Sequence, residues 1–121
     1  MKILVVDDSK PMRRLVIRNI KAAGWESAEF IQAANGKDAL DLISSEKPNL
    51  VISDWNMPVM DGLELLKIVK KWYPNLPIGF VTSEGSNERR KIADNNGANF
   101  LISKPFGVSH FKNALGPLLS K

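Results

Sequence analysis

Five short runs of apolar residues, separated by segments with helical spacing, constrain the fold of this chain more than any other feature. Four runs are almost continuously apolar and rich in β-branched residues, at 3–6, 50–53, 78–81 and 100–103. Runs of this kind are typical of parallel strands buried on both faces. A fifth, weaker run at 28–32 contains Glu29 and Gln32, which favours the edge of a sheet. Since parallel strands need crossover helices on both faces, the pattern predicts a doubly wound α/β fold with five strands and five helices.

Helical periodicity fills the intervals between these runs. The first helix is expected at about 10–23, with Pro11 near its start and Gly24 at its end. Asn35 is the expected N-cap of the second helix, and the fourth is expected at 87–95. Gly116 and Pro117 should end the last helix early. The apolar stripes expected on the third and last helices are Leu65, Leu66, Val69 and Trp72, and Val108, Phe111, Leu115 and Leu118.

Polar residues stand directly after four of the five runs. They are Asp7, Asp8, Asp54, Thr82 and Lys104. The carboxyl ends of parallel strands share one edge of a sheet, which is where such folds place their ligands. We therefore expect these side chains to converge.

The chemistry of this set indicates a divalent cation and a phosphoryl group. Two adjacent carboxylates repel each other unless a cation relieves the charge, and Mg²⁺ prefers oxygen ligands. An aspartate such as Asp54 can attack a phosphoryl group when a metal neutralises the charge. Thr82 can donate a hydrogen bond to a phosphoryl oxygen, and Lys104 offers a compact positive charge.

Composition limits the remaining possibilities. With 121 residues and 44% hydrophobic content, the chain suits one globular domain spanning 1–121. It contains no cysteine, which removes disulfides and zinc–thiolate sites and suits the cytoplasm, where we expect the protein to act. Its net charge of +4 would leave a basic surface around an acidic pocket, and such a surface favours acidic partners.

The run Asp54-Trp55-Asn56-Met57-Pro58, followed by Met60-Asp61-Gly62, is highly specific. Together with the five polar positions in their order and spacing, it makes the whole chain resemble a response-regulator receiver domain, closest to the stand-alone chemotaxis type. The resemblance implies a flavodoxin-like fold with strand order 2-1-3-4-5.

The resemblance also implies roles for individual residues. Asp54 would be the phosphoacceptor, with Thr82 and Lys104 contacting the phosphoryl group. Mg²⁺, with Mn²⁺ as a substitute, would be held by Asp8 directly, by Asp7 through water, by Asp54 and by the backbone carbonyl of Asn56. Asn56 and Glu84 match the positions that set the rate of phosphoryl hydrolysis, and the Lys104–Pro105 peptide bond would be cis.

One position departs from the family pattern. Receiver domains usually carry Tyr or Phe three residues before the lysine, where this chain has Leu101. The aromatic residue here is Phe100, one position earlier and thus on the opposite side of the strand. We therefore do not expect an aromatic ring to report phosphorylation, and Thr82 is the expected transmitter.

The predicted function is a monomeric phosphorylation switch of a two-component system, with chemotaxis as one candidate process. A histidine kinase would phosphorylate Asp54, and a downstream protein would then bind the face made by the fourth helix, the fifth strand and the fifth helix. The protein would not be an enzyme, although it would assist its own phosphorylation and also its own dephosphorylation, which would be slow. A receiver cut from a longer regulator and an intermediate or sink in a phosphorelay remain alternatives.

Two further classes fit less well. A phosphatase with an Asp nucleophile needs a second acid two residues after Asp54, where Asn56 stands. A nucleic-acid binder would need a recognition helix or an aromatic platform, and neither is visible, so no nucleic acid is expected.

Overall fold

A computed structural model describes residues 1–119 and contains a parallel sheet in the order β2-β1-β3-β4-β5. The strands are β1 (Lys2–Val6), β2 (Glu29–Ala33), β3 (Leu50–Ser53), β4 (Ile78–Thr82) and β5 (Leu101–Ser103). The predicted fold class and strand order are confirmed. β2 lies at an edge, as its polar residues indicated, although it begins one residue later than expected. The predicted domain also includes residues 120 and 121, which lie outside the described range.

The five helices in residues 1–119 are α1 (Lys10–Ile20), α2 (Gly36–Glu46), α3 (Gly62–Trp72), α4 (Asn87–Asn95) and α5 (Val108–Leu115). Side chains cap the first four by accepting a backbone N–H of the first turn. The capping residues are Ser9, the predicted Asn35, Asp61 and Ser86.

α1 ends earlier than its apolar spacing indicated. Regular α-helical geometry stops at Ile20, and the chain continues through a wider π-helical turn at Lys21–Trp25. Gly24 adopts a φ of 122° there, a conformation that side chains with a Cβ rarely take. This turn still buries Ala23 and Trp25.

Two expectations for the apolar stripes need correction. Trp72 does not join the core: it is 66% exposed at the end of α3, where the Lys71 ammonium lies 5.2 Å from its ring centroid. α5 ends at Leu115 because Gly116-Pro117 follows, as predicted. Leu118 therefore packs against the core from the turn after the helix instead of from the helix itself.

The sheet separates two apolar cores, because successive residues of each strand point to opposite faces. Ile3, Val5, Ile52 and Ile102 face α1 and α5, whereas Leu4, Val6, Val51 and Phe80 face α2, α3 and α4. Full burial of such side chains contributes about 1.5–3 kcal/mol each. The sheet is thus a firm support for the residues at its carboxyl edge.

Among residues 1–119, no helix combines the length and apolar character needed to cross a membrane.

Candidate functional site

Three aspartates meet at the carboxyl ends of the neighbouring strands β1 and β3. Val6 pairs with Ser53, and the N–H of Asp54 donates to the Val6 carbonyl at 2.9 Å, so the residues that follow these strands are neighbours. One carboxylate oxygen from each of Asp7, Asp8 and Asp54 lies within 4.8 Å of the others. The structure therefore brings together the three acids that the sequence predicted.

Lys104 reaches the same cluster from the end of β5. Its Nζ atom lies 3.6 Å from Asp54 Oδ2 and 3.7 Å from Asp7 Oδ2. The backbone N–H of Lys104 donates to the Thr82 carbonyl at 2.9 Å, which continues the strand pairing to the edge of the site. The Lys104–Pro105 peptide bond is cis, as the resemblance implied.

Asp7 is the buried member of the cluster, with only 4% of its surface exposed. Burial raises the pKa of Asp7, and a hydrogen bond from the Ser9 N–H to Oδ1 at 2.9 Å partly opposes this effect. The charge of Asp54 raises the pKa further, Lys104 lowers it, and Asp8 raises it again. The ionised cluster is thus under electrostatic repulsion that an added cation would relieve.

The donor set fits Mg²⁺. All three acids offer hard oxygen atoms, and Mg²⁺ is usually held by one or two carboxylates, waters and a phosphate oxygen. Asp7, Asp8 and Asp54 would hold the ion, and the contribution of the Asn56 carbonyl stays a prediction. When bound, the ion supplies positive charge that neutralises the oxygens of a phosphoryl group.

Thr82 ends β4, which lies between β3 and β5 in the sheet. Its side chain is fully buried, and its hydroxyl oxygen accepts the N–H of Glu84 at 3.3 Å. Since the oxygen acts as acceptor in that bond, the hydroxyl hydrogen can be donated to another group. Thr82 thus ends the strand beside β3 at the carboxyl edge, and its hydroxyl keeps its capacity to donate a hydrogen bond.

The loop between β3 and α3 folds back tightly on the site. The N–H of Gly62 donates to the Trp55 carbonyl at 2.8 Å. A Cβ at this glycine would lie only 2.4 Å from the Asp54 carbonyl oxygen and 2.7 Å from the Phe80 ring. The close approach explains the glycine in the Met60-Asp61-Gly62 sequence.

A chain of polar contacts forms the rim of the site. The Asn56 side-chain amide donates to Glu84 Oε1 at 3.0 Å, and Glu84 Oε2 lies 2.7 Å from Arg89 Nη2. The Arg89 guanidinium lies over the buried Trp55 ring, 4.5 Å from its centroid. The N–H of Trp55 in turn donates to Asp54 Oδ1 at 2.7 Å. Asn56 and Glu84 are thus in direct contact. These are the two positions that the resemblance links to the rate of phosphoryl hydrolysis.

Arg89 and Arg13 are the parts of this region that the sequence did not predict. Arg89 lies over the Trp55 ring and pairs with Glu84. Arg13 Nη1 donates to the Asp7 carbonyl at 2.6 Å, and its Nε donates to Gln32 at 2.9 Å. Neither arginine belongs to a motif, so no sequence signal marks these contacts.

Leu101 and Phe100 lie on opposite sides of the sheet, as the alternation predicted. Phe100 packs in the core beneath α1 and α5, with its ring against Gly79, and Leu101 packs on the other side. Arg90 Nη1 donates to the Leu101 carbonyl at 3.0 Å. Position 101 therefore holds a half-buried aliphatic side chain between the sheet and α4.

Known proteins with similar sequences and structures agree with this geometry. The family described as the response regulator receiver domain matches residues 3–116. A chemotaxis protein CheY homolog from Campylobacter jejuni is 40% identical over 122 residues, covering 98% of this chain and 92% of the relative. The chemotaxis response regulator CheY4 of Vibrio cholerae superposes with a TM-score of 0.84 at 35% identity, covering 98% of both chains. A putative response regulator from Chloroflexus aurantiacus gives a TM-score of 0.87 at 28% identity, covering 99% of this chain and 98% of that one.

The match spans both the sheet and the edge at which the acids, Thr82 and Lys104 converge. The predicted family is confirmed, and with it the similarity to chemotaxis regulators. This chain belongs to the response regulator receiver domain family.

Proposed function

We propose that the protein is a phosphorylation-controlled switch of a two-component system. A histidine kinase donates a phosphoryl group to Asp54 in a Mg²⁺-dependent reaction, and the phosphorylated protein then binds a downstream protein. The observation that carries this proposal is the placement of the Asp54 carboxylate beside Asp7, Asp8 and the Lys104 ammonium. Similarity to chemotaxis proteins supports chemotaxis as the process.

The proposed reaction is a transfer of the phosphoryl group to a carboxylate oxygen. An oxygen of Asp54 attacks the phosphorus and forms an O–P bond. The bond between the phosphorus and the donor atom breaks, and its electron pair stays on the donor. Lys104, already 3.6 Å from Asp54 Oδ2, pairs with an oxygen of the incoming group. The Thr82 hydroxyl donates to a second oxygen once it turns toward the pocket.

The chain assists its own phosphorylation without acting as a turnover enzyme. Asn56 stands two residues after the phosphoacceptor, where a phosphatase of this type carries an acid. An amide cannot accept a proton from an attacking water as a carboxylate can, so hydrolysis of phospho-Asp54 is slow. In this role the protein acts as a monomer in the cytoplasm, where its histidine kinase phosphorylates it.

The downstream protein binds the face formed by α4, β5 and α5. A groove of about 390 Å³ lies there, lined by Arg90, Leu101, Ile102, Ser103, His110, Asn113 and Ala114. Arg90 and Lys91 are exposed on α4 beside it. A target segment with acidic residues gains association rate from these charges, and the gain falls with added salt.

The proposal is tested by incubating the protein with acetyl phosphate and Mg²⁺ and measuring its intact mass. One phosphate should be added, and peptide mapping should place it on Asp54. Asp54→Asn should remain unmodified, whereas the control Asp41→Asn, at an exposed position of α2, should react like the wild type. Labelling of Asp54→Asn at another residue would overturn the assignment.

A further inference from the structure

The carboxylate of Glu84 lies at the rim of a site that holds three aspartates. Its backbone N–H donates to the Thr82 hydroxyl at 3.3 Å, and its carboxylate accepts the side-chain amide of Asn56, two residues after Asp54, so Glu84 lies at the rim of the site. Asp7, Asp8 and Asp54 together carry up to three negative charges, and Lys104 supplies one positive charge among them. A phosphodonor is itself an anion, so any further negative charge here slows its approach.

Two side chains, those of Asn56 and Arg89, restrain the Glu84 carboxylate. One oxygen accepts the Asn56 amide at 3.0 Å, and the other lies 2.7 Å from Arg89 Nη2. The bond to Arg89 is short and charge-assisted. Half of the Glu84 side-chain surface is exposed, so these two contacts supply much of its restraint.

Arg89 is itself held in place. Its guanidinium lies over the Trp55 ring at 4.5 Å, and its backbone N–H donates to the Ser86 hydroxyl at 3.1 Å in the cap of α4. Arg89 Nη1 is buried without a hydrogen-bond partner in the described part of the chain, so the guanidinium gives up solvation to occupy this place. The contact with the Trp55 ring restricts where the guanidinium can lie and so favours its bond to Glu84.

We propose that Arg89 is a positioning residue for phosphoryl transfer, which holds and neutralises the Glu84 carboxylate at the rim so that anionic donors can reach Asp54. This inference rests on the proposed function. It assigns to α4 a part in admitting the phosphodonor, in addition to any part in binding a target. The network joins Arg89 to Asp54 through Trp55: its ring contacts Arg89, and its backbone N–H donates to Asp54 Oδ1.

The test compares rates of Asp54 phosphorylation by acetyl phosphate at saturating Mg²⁺. Arg89→Met should slow phosphorylation about 3- to 10-fold, because the charge of Glu84 is then uncompensated near the site. Arg89→Lys keeps the charge and should recover most of the rate. In the double variant Glu84→Gln/Arg89→Met, the rate should return to within about twofold of Glu84→Gln alone, since the effect of Arg89 passes through Glu84.

Salt dependence separates this role from a structural one. The defect of Arg89→Met should shrink as ionic strength rises from about 0.01 M to 1 M, where the screening length falls from about 30 Å to 3 Å. A misfolded variant would show no such recovery. Partly exposed ion pairs contribute little to stability, and Met keeps an apolar side chain beside the Trp55 ring, so Arg89→Met is expected to fold. Arg18→Met, at an exposed position of α1 with the same change of charge, is the matched control and should react at the wild-type rate.

The outcomes distinguish this inference from the function on which it rests. If wild-type protein is not phosphorylated on Asp54, the proposed function is wrong. If the wild type reacts but Arg89→Met reacts equally fast, or if Arg18→Met is slowed as much, the positioning role of Arg89 is wrong. A slow Arg89→Met that is not rescued by Glu84→Gln would also overturn it.

Discussion

The ammonium nitrogen of Lys104 lies 3.6 Å from the Oδ2 atom of Asp54, although the two residues follow strands separated by β4. The short separation exists because parallel strands bring their carboxyl ends to one edge. It places a fixed positive charge beside the carboxylate that we propose as the phosphoacceptor.

Lys104→Met should slow phosphorylation of Asp54 by acetyl phosphate roughly 10²-fold, because a positioned charge that stabilises the transition state is lost. Binding of Mg²⁺ should persist, since the acids remain and a neighbouring cation has been removed. Rates would be measured by intact mass and Mg²⁺ binding by calorimetry. Loss of Mg²⁺ binding together with phosphorylation would instead indicate a collapsed site.

Mg²⁺ should stabilise the protein, because it binds the folded acid cluster and relieves its repulsion. At a concentration 100 times its Kd, the expected gain in unfolding free energy is about 2.7 kcal/mol. Asp8→Ala should lose this gain, and the exposed control Asp41→Ala should keep it. Thermal unfolding with and without Mg²⁺ measures both, and a melting temperature indifferent to Mg²⁺ in the wild type would rule out the metal site.

Stability of the metal-free protein should depend on pH through Asp7. Burial raises the pKa of Asp7, so the folded state holds a proton there more tightly than the unfolded chain. The associated stability is fully present below the ordinary aspartate pKa of about 3.9 and is lost as pH rises through the raised value. Asp7→Asn cannot ionise and should melt at a higher temperature than the wild type at pH 7 without Mg²⁺. A lower melting temperature for this variant would contradict the pKa direction.

Gly62→Ala should destabilise the fold by about 1–3 kcal/mol, because the added Cβ would overlap the Asp54 carbonyl and Phe80. Gly107→Ala is the comparison, since a Cβ there meets nothing within 4 Å. Its effect should stay within about 1 kcal/mol, reflecting the change at the N-cap of α5. Urea unfolding of both variants measures the difference, and equal losses would disprove the close approach at Gly62.

Phosphorylation should leave the Leu101 side chain nearly unchanged, because no aromatic ring is present to be buried. The main changes should occur at Thr82 and in the loop that follows it. Structures with and without a phosphoryl mimic such as beryllofluoride would show this. A large rotamer change at Leu101 that reshapes the face between α4 and α5 would refute it.

Sequence patterns predicted the strands and their polar ends better than the helix ends and single side chains. The apolar runs carry the strand signal over several residues, so β1, β3 and β4 could be placed within one residue. Trp72 continued the stripe of α3 by spacing but is exposed, because burial also requires a neighbouring element at that height of the helix. The end of α1 was missed because the π-helical turn keeps its apolar residues buried.

By itself, the sequence determined which residues would face a common edge. Strand periodicity and the chain direction in a parallel sheet place Asp7, Asp54 and Lys104 at that edge whatever the strand order. Only the tertiary structure decided the distances within the site and the partners of Arg89. The contacts of Arg89 with Trp55 and Glu84 join the loop after β3 to the loop after β4. These contacts depend on the position of α4 and on the side-chain rotamers. Local spacing carries no information on either, because residues distant in sequence meet only when the whole chain has packed.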